Sequence, residues 1–202
     1  MRNAYLLPLL FTSFLLLPAI GISQNLFPDG VYFSFHQLVK AKPGLYPEQL
    51  RNKVQKQVAP KAWFRSDSLF CMIKGATIHI PADSLFAFVD DGQLYIQRKH
   101  YAHKASVTGS LTYFTESYPV HSTPAPVSID LAKDITPRIL DFTTGKILEY
   151  STVVLEEILK ERDELLYKEY TALATQKLKR QLLLRYIEKY NERHPLLIKE
   201  EL

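Results

Sequence analysis

Cysteine is almost absent from this sequence, because Cys71 is the single one among 202 residues. One thiol cannot close an intramolecular disulfide, so the chain is not a secreted domain held together by disulfides. Beyond residue 23 no apolar run approaches the length of a membrane-spanning helix, about 20 residues. Cys71 lies in a strand-like apolar run and is expected to be buried as a small hydrophobic side chain.

Short motifs of common catalytic and cofactor sites are missing as well. The sequence has no G-x-S-x-G or S-x-x-K, which would mark a serine nucleophile. It has no G-x-G-x-x-G, P-loop or H-E-x-x-H either. These absences argue against several large enzyme classes, and we expect no cofactor.

The first 23 residues have the layout of a secretory signal peptide. Arg2 precedes an uncharged apolar run over residues 4–20, and Gly21 and Ser23 provide small residues before Gln24. The alternative is an uncleaved membrane anchor, but two prolines interrupt the run and its exit favours cleavage. The sequence therefore predicts an exported, periplasmic or extracellular protein that begins at Gln24 and has no transmembrane span after cleavage.

Positive charge is concentrated early in the remaining chain. Residues 24–65 carry seven Lys and Arg against Asp29 and Glu48. Such an excess can attract an acidic partner or anionic lipid head groups, although it is more often a solvated face. Both readings stay open at this point.

Residues 24–150 read as a β-rich domain. Short apolar and β-branched runs alternate with turn signals, of which Asp91-Gly92 is the strongest hairpin signal. We predict an antiparallel β-sheet or half-barrel, with a short helix over 47–57 and a long connection over 117–137. That connection holds four prolines and room for one strand at 127–131.

Residues 151–195 change to a helical pattern. No Gly or Pro occurs from Thr152 to Arg193, and Pro195 ends the segment. A single helix of this length would span roughly 60 Å, so we expect a break at Arg162-Asp163 or near 171–175. The predicted fold class is α+β, with C-terminal helices packed on the sheet and a tail over 196–202.

Two histidines, His100 and His103, are the best metal candidates in the sequence. In a strand they would point to opposite faces, and no third ligand lies nearby. We therefore predict a surface loop here and no metal. The Asp90-Asp91 pair is explained by the hairpin turn alone.

Aromatic residues of the predicted sheet give a second candidate site, an apolar ligand pocket. Its lining would come from Trp63, Phe70, Phe86, Phe88, Tyr95 and Tyr113. A third candidate is a hydrolytic site formed from dispersed His and Asp residues. Its members would be His79, His100, His103 and Asp141.

Four segments resemble uncharacterised secreted proteins of Bacteroidetes-type bacteria. They are FPDGVYFSFHQL, SLFAFVDDGQLYI, LDFTTGKILEY and YIEKYNERHPL. The resemblance implies export and an α+β build, and it implies no activity or catalytic residue.

These observations favour a non-catalytic binding or interaction protein of the cell envelope, with another envelope protein as a partner. A small apolar ligand carrier and an envelope hydrolase are the alternatives. The basic residues of the last predicted helix match its dipole, so no nucleic-acid partner is expected. The oligomeric state is left open.

Overall fold

The computed structural model describes residues 26–66, 68–119 and 133–198. The predicted leader and its cleavage site at Gln24 lie outside the described residues. The fold is α+β, as predicted: an antiparallel seven-stranded sheet and a three-stranded sheet are followed by C-terminal helices.

The larger sheet has the strand order β1-β5-β6-β7-β8-β9-β10, with β1 and β10 at its edges. Every neighbouring pair in it is antiparallel. Its strands are β1 (Gly30–Tyr32), β5 (Ala87–Asp90), β6 (Gln93–Arg98), β7 (Tyr101–Val107), β8 (Leu111–Pro119), β9 (Lys133–Asp141) and β10 (Lys146–Glu149).

The smaller sheet has the order β2-β3-β4, formed by Leu50–Arg51, Leu69–Ile73 and Ala76–Ile80. Helices α1 (Phe35–Val39) and α2 (Pro60–Phe64) flank β2 in the chain. The predicted helix over 47–57 is wrong. A single 3₁₀ turn over Pro47–Gln49 leads directly into β2, because this segment offers too few apolar residues for a helix face.

Side chains on the larger sheet alternate between two faces. One face, with Ile96, Phe114 and Leu140, forms the first core with α1. The opposite face is covered by the C-terminal helices around Leu111 and by the smaller sheet around Phe88. Both faces of this sheet therefore carry buried apolar side chains.

The predicted hairpin at Asp91-Gly92 is confirmed. Both residues have positive φ, 53° and 68°, and they connect β5 to β6. The Asp29 carboxylate accepts hydrogen bonds from both backbone N–H groups, each at 3.0 Å. The same contact ties the chain before β1 to this turn.

Two predictions between residues 100 and 137 are wrong. Tyr101–Val107 is strand β7, not a surface loop, and β8 extends to Pro119. Since β9 begins at Lys133, the β8–β9 ladder takes up much of the predicted connection. The strand expected at 127–131 lies outside the described residues.

The helical segment breaks at both predicted positions. Helices α3 (Thr152–Arg162), α4 (Glu164–Thr171) and α5 (Gln176–Arg193) each begin after a side-chain cap. The caps accept hydrogen bonds at 3.0–3.3 Å and are Ser151, Asp163 and Thr175. No helix among the described residues is long and apolar enough to cross a bilayer.

Helix α5 is fixed to the start of β8 by polar contacts. The Asn191 amide donates to the backbone oxygen of Leu111 and accepts from its N–H, at 2.9 and 2.8 Å. Ser110 Oγ donates to the His194 carbonyl at 2.6 Å. Beyond α5, Leu196 and Ile198 pack against the first core, so this part of the predicted tail is packed on the fold.

Candidate functional site

A group of polar side chains lies at one end of the sheet face that carries the first core. We name it the Glu116 cluster after its central carboxylate, which is 3% exposed. Its members are Arg98, His103, Glu116, Tyr118 and Arg138. They come from four adjacent strands, β6 to β9.

Strand alternation explains why these residues share a face. Phe114 belongs to the first core, so Glu116 and Tyr118, two and four residues further along β8, point to the same side. Arg138 lies opposite Phe114 in the β8–β9 ladder. His103 lies opposite Ile96 between β7 and β6. The cluster therefore continues the apolar core as a polar patch.

Two guanidinium groups flank the central carboxylate. Arg98 Nε donates to Glu116 Oε1 at 3.2 Å, and Arg138 Nε lies 3.5 Å from Glu116 Oε2. The Arg98 and Arg138 side chains are 41% and 27% exposed. Both guanidinium groups therefore extend from a buried carboxylate towards solvent.

His103 is buried, with 3% of its surface exposed. Its Nδ1 accepts a hydrogen bond from the Ser117 N–H at 3.3 Å. Burial is the largest effect on the pKa of His103 and lowers it, and the positive charge of Arg98 lowers it further. The nearby backbone carbonyl groups and the Glu116 carboxylate act in the opposite direction and raise it. The ring is therefore neutral near pH 7, and with a lone pair on Nδ1 its proton is on Nε2.

Three buried polar atoms in this cluster lack a hydrogen-bond partner. They are His103 Nε2, Tyr118 Oη and Arg138 Nε. The Tyr118 hydroxyl and Arg138 Nε both lie beside the Glu116 carboxylate without a well-formed hydrogen bond to it. Burial first, and then that carboxylate, raise the pKa of Tyr118, so its hydroxyl stays protonated. An unpaired buried polar group costs about 1–3 kcal/mol of stability, and such groups are rare in native proteins.

Aromatic rings form the wall of the cluster. The Tyr118 ring meets the His103 ring at 5.2 Å and the Tyr101 ring at 5.5 Å, both edge to face. Lys99 Nζ lies 4.9 Å from the centre of the Tyr118 ring. The cluster thus combines hydrogen-bond donors, positive charge and aromatic surface, and it lacks a serine or cysteine nucleophile among the five members.

A second buried polar group, the helix-junction cluster, lies on the opposite face under the C-terminal helices. It contains Asp141, Arg162, Asp163, Arg193 and His194. Arg162 donates to both Asp141 carboxylate oxygens at 3.0 Å. Asp141 also accepts from the Thr143 N–H and the Thr144 hydroxyl, at 2.9 and 2.8 Å.

Asp163 has a similar set of partners in the helix-junction cluster. Besides capping α4, it accepts from Arg193 Nε at 2.6 Å and Arg193 Nη2 at 3.0 Å. His194 Nε2 lies 2.9 Å from Asp163 Oδ2. Although burial opposes ionisation, hydrogen bonds from Arg193, the Leu166 N–H and His194 lower the pKa of Asp163 to about 2.

The six aromatic residues predicted to line a pocket lie in different places. Phe88 stacks on Tyr95 at 4.7 Å in the core under the smaller sheet, which also contains Trp63. Phe86 packs on the first core, against Phe35. Tyr113 lies beside Tyr150 under the helices, and Phe70 contacts His79. The structure does not bring these six residues around one cavity.

The residues of the predicted hydrolytic site are also dispersed. His79 lies on β4 of the smaller sheet against Phe70. The exposed His100 pairs with Asp83 at 2.6 Å. His103 belongs to the Glu116 cluster, and Asp141 belongs to the helix-junction cluster. Within the described residues no group of three or more His, Cys, Asp or Glu is arranged to hold a metal ion.

Two further predicted features have structural explanations. Cys71 is free and fully buried, as predicted, and burial raises its pKa. Asp90 lines a shallow cleft of about 320 Å³ together with Asp29, Gln57 and Pro60. Burial and the neighbouring Asp29 carboxylate raise the pKa of Asp90, although Lys61 opposes this shift.

Sequence reasoning found one member of the Glu116 cluster and missed the other four. The sequence predicts a surface loop around His103, and it assigns no functional role to Arg98, Glu116, Tyr118 or Arg138. One signal was present: Glu116 alternates with Phe114 and Tyr118 in a strand-like run, which puts a carboxylate on an apolar face. Charged residues are almost never fully buried unless they are paired.

Comparison of the chain with protein-family models, with curated proteins and with solved structures gave no match. The resemblance to secreted Bacteroidetes-type proteins therefore stays a prediction.

Proposed function

We propose that this chain is a non-catalytic binding protein of the cell envelope that holds its ligand at the Glu116 cluster. The observation that carries the proposal is the set of three buried polar atoms without partners around one carboxylate. Folding alone leaves these atoms unsatisfied, at a cost in stability. A ligand that hydrogen-bonds to them would offset that cost.

The choice of binding over catalysis rests on the residues of the cluster. Glu116 is engaged by Arg98 and Arg138 and is poorly placed to take a proton. His103 Nδ1 already accepts from the Ser117 N–H, and the raised pKa of Tyr118 keeps its hydroxyl protonated. No serine, threonine or cysteine lies among the five members. The carrier and hydrolase alternatives have no comparable site in the part of the chain that the structure describes, since their predicted residues are dispersed.

Export is part of the proposal and rests on the sequence of residues 1–23. Fractionation of the source cells and amino-terminal sequencing of the recovered protein would test it. We expect an envelope protein that begins at Gln24. A cytosolic protein with an intact initiator methionine would contradict this part.

Thermal unfolding in the presence of envelope extract tests the binding site. The small-molecule fraction of the extract should raise the melting temperature of the wild-type protein, because a ligand that binds only the folded state stabilises it. Arg138→Gln should lose this rise. Lys168→Gln is the matched control, because Lys168 pairs with Glu164 on the helical surface.

Two outcomes would overturn the proposed site. An equal rise in Arg138→Gln and wild type would move binding elsewhere on the molecule. No rise in the wild type, with either the small-molecule or the protein fraction of the extract, would contradict a binding function.

A further inference from the structure

We propose that the ligand group held at the Glu116 cluster is an oxyanion, either a carboxylate or a phosphate. This inference rests on the proposed function and names the chemistry of the same site. It follows from which atoms lack partners, from the local charge and from access to the arginines.

The atoms without partners are donors. Arg138 Nε always carries a proton, but it lies 3.5 Å from Glu116 Oε2 and is left to that carboxylate. His103 carries its proton on Nε2 because Nδ1 accepts from the Ser117 N–H. Tyr118 Oη can donate its proton as well. A group that satisfies His103 Nε2 and Tyr118 Oη must supply acceptor lone pairs, and carboxylate and phosphate oxygens supply several of them.

The local charge also favours an anion. Arg98, Arg138 and Lys99 contribute three positive charges, against the carboxylate of Glu116 and against Asp134, which lies opposite Tyr118 in the β8–β9 ladder. His103 adds no charge when it is neutral. A cation would be repelled by this excess, whereas an anion gains hydrogen bonds from charged donors, which are stronger than neutral ones.

Glu116 also leaves the arginines in a position to bind a second anion. It contacts each guanidinium through Nε, and a guanidinium has four further N–H donors. The Arg98 and Arg138 side chains retain 41% and 27% of their exposure. An oxyanion can therefore approach from solvent and contact the outer guanidinium nitrogens.

The test is a titration of the isotope-labelled, purified protein followed by NMR. The side-chain Nε–H signals of Arg98 and Arg138 and the imidazole signals of His103 report on the cluster directly. Inorganic phosphate or acetate should shift these signals with saturation, whereas sodium chloride at equal ionic strength should not. The Arg162 Nε–H signal, from the helix-junction cluster, is the internal control and should stay in place.

Further arms of the titration separate the possible sources of the anion. Phosphate and acetate distinguish the two oxyanion types, and trialanine compared with its carboxy-terminal amide tests a peptide carboxylate. Tyr118→Phe should weaken binding of the effective probe by roughly tenfold, the worth of one hydrogen bond to a charged group. This variant keeps the aromatic ring and its packing.

The inference is overturned if none of the three oxyanion probes, phosphate, acetate and trialanine, shifts the cluster signals in a saturable way. It is also overturned if the cluster signals and the Arg162 signal move together, which would show a general salt effect. Loss of the oxyanion inference alone leaves the extract-induced rise in melting temperature intact in the wild type. Failure of the proposed function removes that rise too, so the two failures are distinguishable.

Discussion

The helix-junction cluster and the Glu116 cluster both bury carboxylates beside arginine side chains, on opposite faces of one sheet. In the helix-junction cluster, Asp141 and Asp163 each make four hydrogen-bond contacts. Their partners are side chains and backbone N–H groups. In the Glu116 cluster three polar atoms have no partner, and they are the only ones among the buried side chains of the described residues.

This difference separates structure from function. A buried polar network with every member satisfied fixes the position of neighbouring elements, here α3, α4 and α5 on the sheet. Buried donors that make no hydrogen bond lower the stability of the folded protein. Proteins tend to leave buried polar groups without hydrogen bonds at functional sites. Of the two clusters, the Glu116 cluster is therefore the candidate for a functional site.

Removal of the Arg162 guanidinium should give the largest effect. Arg162→Met leaves the Asp141 carboxylate, 2% exposed, without its charged partner. We expect the free energy of unfolding to fall by about 3 kcal/mol or more, the cost of breaking a buried ion pair from one side. Urea denaturation of wild type and variant measures the difference.

Lys168→Met is the matched control for Arg162→Met. Lys168 pairs with Glu164 four residues earlier, but both side chains are largely exposed, so the free energy of unfolding should stay close to that of the wild type. A loss in Arg162→Met no larger than in this control would show that the helix-junction cluster is not the stabilising network described above.

The pH dependence of stability should change when Asp163 becomes neutral. Its pKa is about 2 in the folded protein, below the ordinary value of 3.8. The ionised carboxylate therefore adds stability that is fully present above pH 3.8 and is lost as the pH falls towards 2. Asp163→Asn keeps a capping oxygen, but it removes the charge and replaces the oxygen that accepts from Arg193 Nε by an N–H donor.

Near pH 7 the free energy of unfolding of the wild type should be about 2 kcal/mol higher than that of Asp163→Asn, a value typical of hydrogen bonds to a charged group. The gap should narrow between pH 4 and pH 2, measured by urea denaturation at each pH. The lowered pKa of Asp141 also makes stability depend on pH. This contribution is present in wild type and variant alike, so it cancels when their free energies of unfolding are subtracted. A gap that stays constant down to pH 2 would contradict the ion-pair role of Asp163.

Only those features of the fold that depend on neighbouring residues could be predicted from the sequence. The Asp91-Gly92 hairpin and the Asp163 cap were predictable because turn geometry and helix capping depend on neighbouring residues. The ion pair from Asp163 to Arg193 joins the ends of two helices, 30 residues apart. No local pattern carries such a contact, so the sequence predicts the helix break at Arg162-Asp163 but not the buried ion pair.

The candidate site also depends on long-range contacts, so it could not be predicted from local patterns. The composition of β7 made it harder still to recognise. Strand β7 contains one histidine, one lysine and few large apolar residues, so its composition resembles a loop. It is a strand because β6 and β8 pair with it on both sides. Since the position of His103 depends on those pairings, the Glu116 cluster could be recognised only after the sheet had been assembled.

The smallest expected effects come from replacing one of two tyrosines, Tyr170 or Tyr118, by phenylalanine. They give the sharpest test, because the same type of substitution should lower the free energy of unfolding at Tyr170 but not at Tyr118. Tyr170 Oη, fully buried beneath the helices, donates to the Lys179 carbonyl at 3.1 Å. Tyr118 Oη is buried and has no partner. Tyr170→Phe should therefore lower the free energy of unfolding by about 1 kcal/mol, whereas Tyr118→Phe should leave it unchanged or raise it by up to about 1 kcal/mol.

Urea denaturation of the two variants without added anions measures this contrast. Both substitutions remove one oxygen and keep the ring, so the difference between them reflects the hydrogen bond and not packing. If Tyr118→Phe destabilises the protein as much as Tyr170→Phe does, the Tyr118 hydroxyl has a partner within the folded chain. The Glu116 cluster would then be a satisfied network like the helix-junction cluster, and the reason to place a ligand there would be lost.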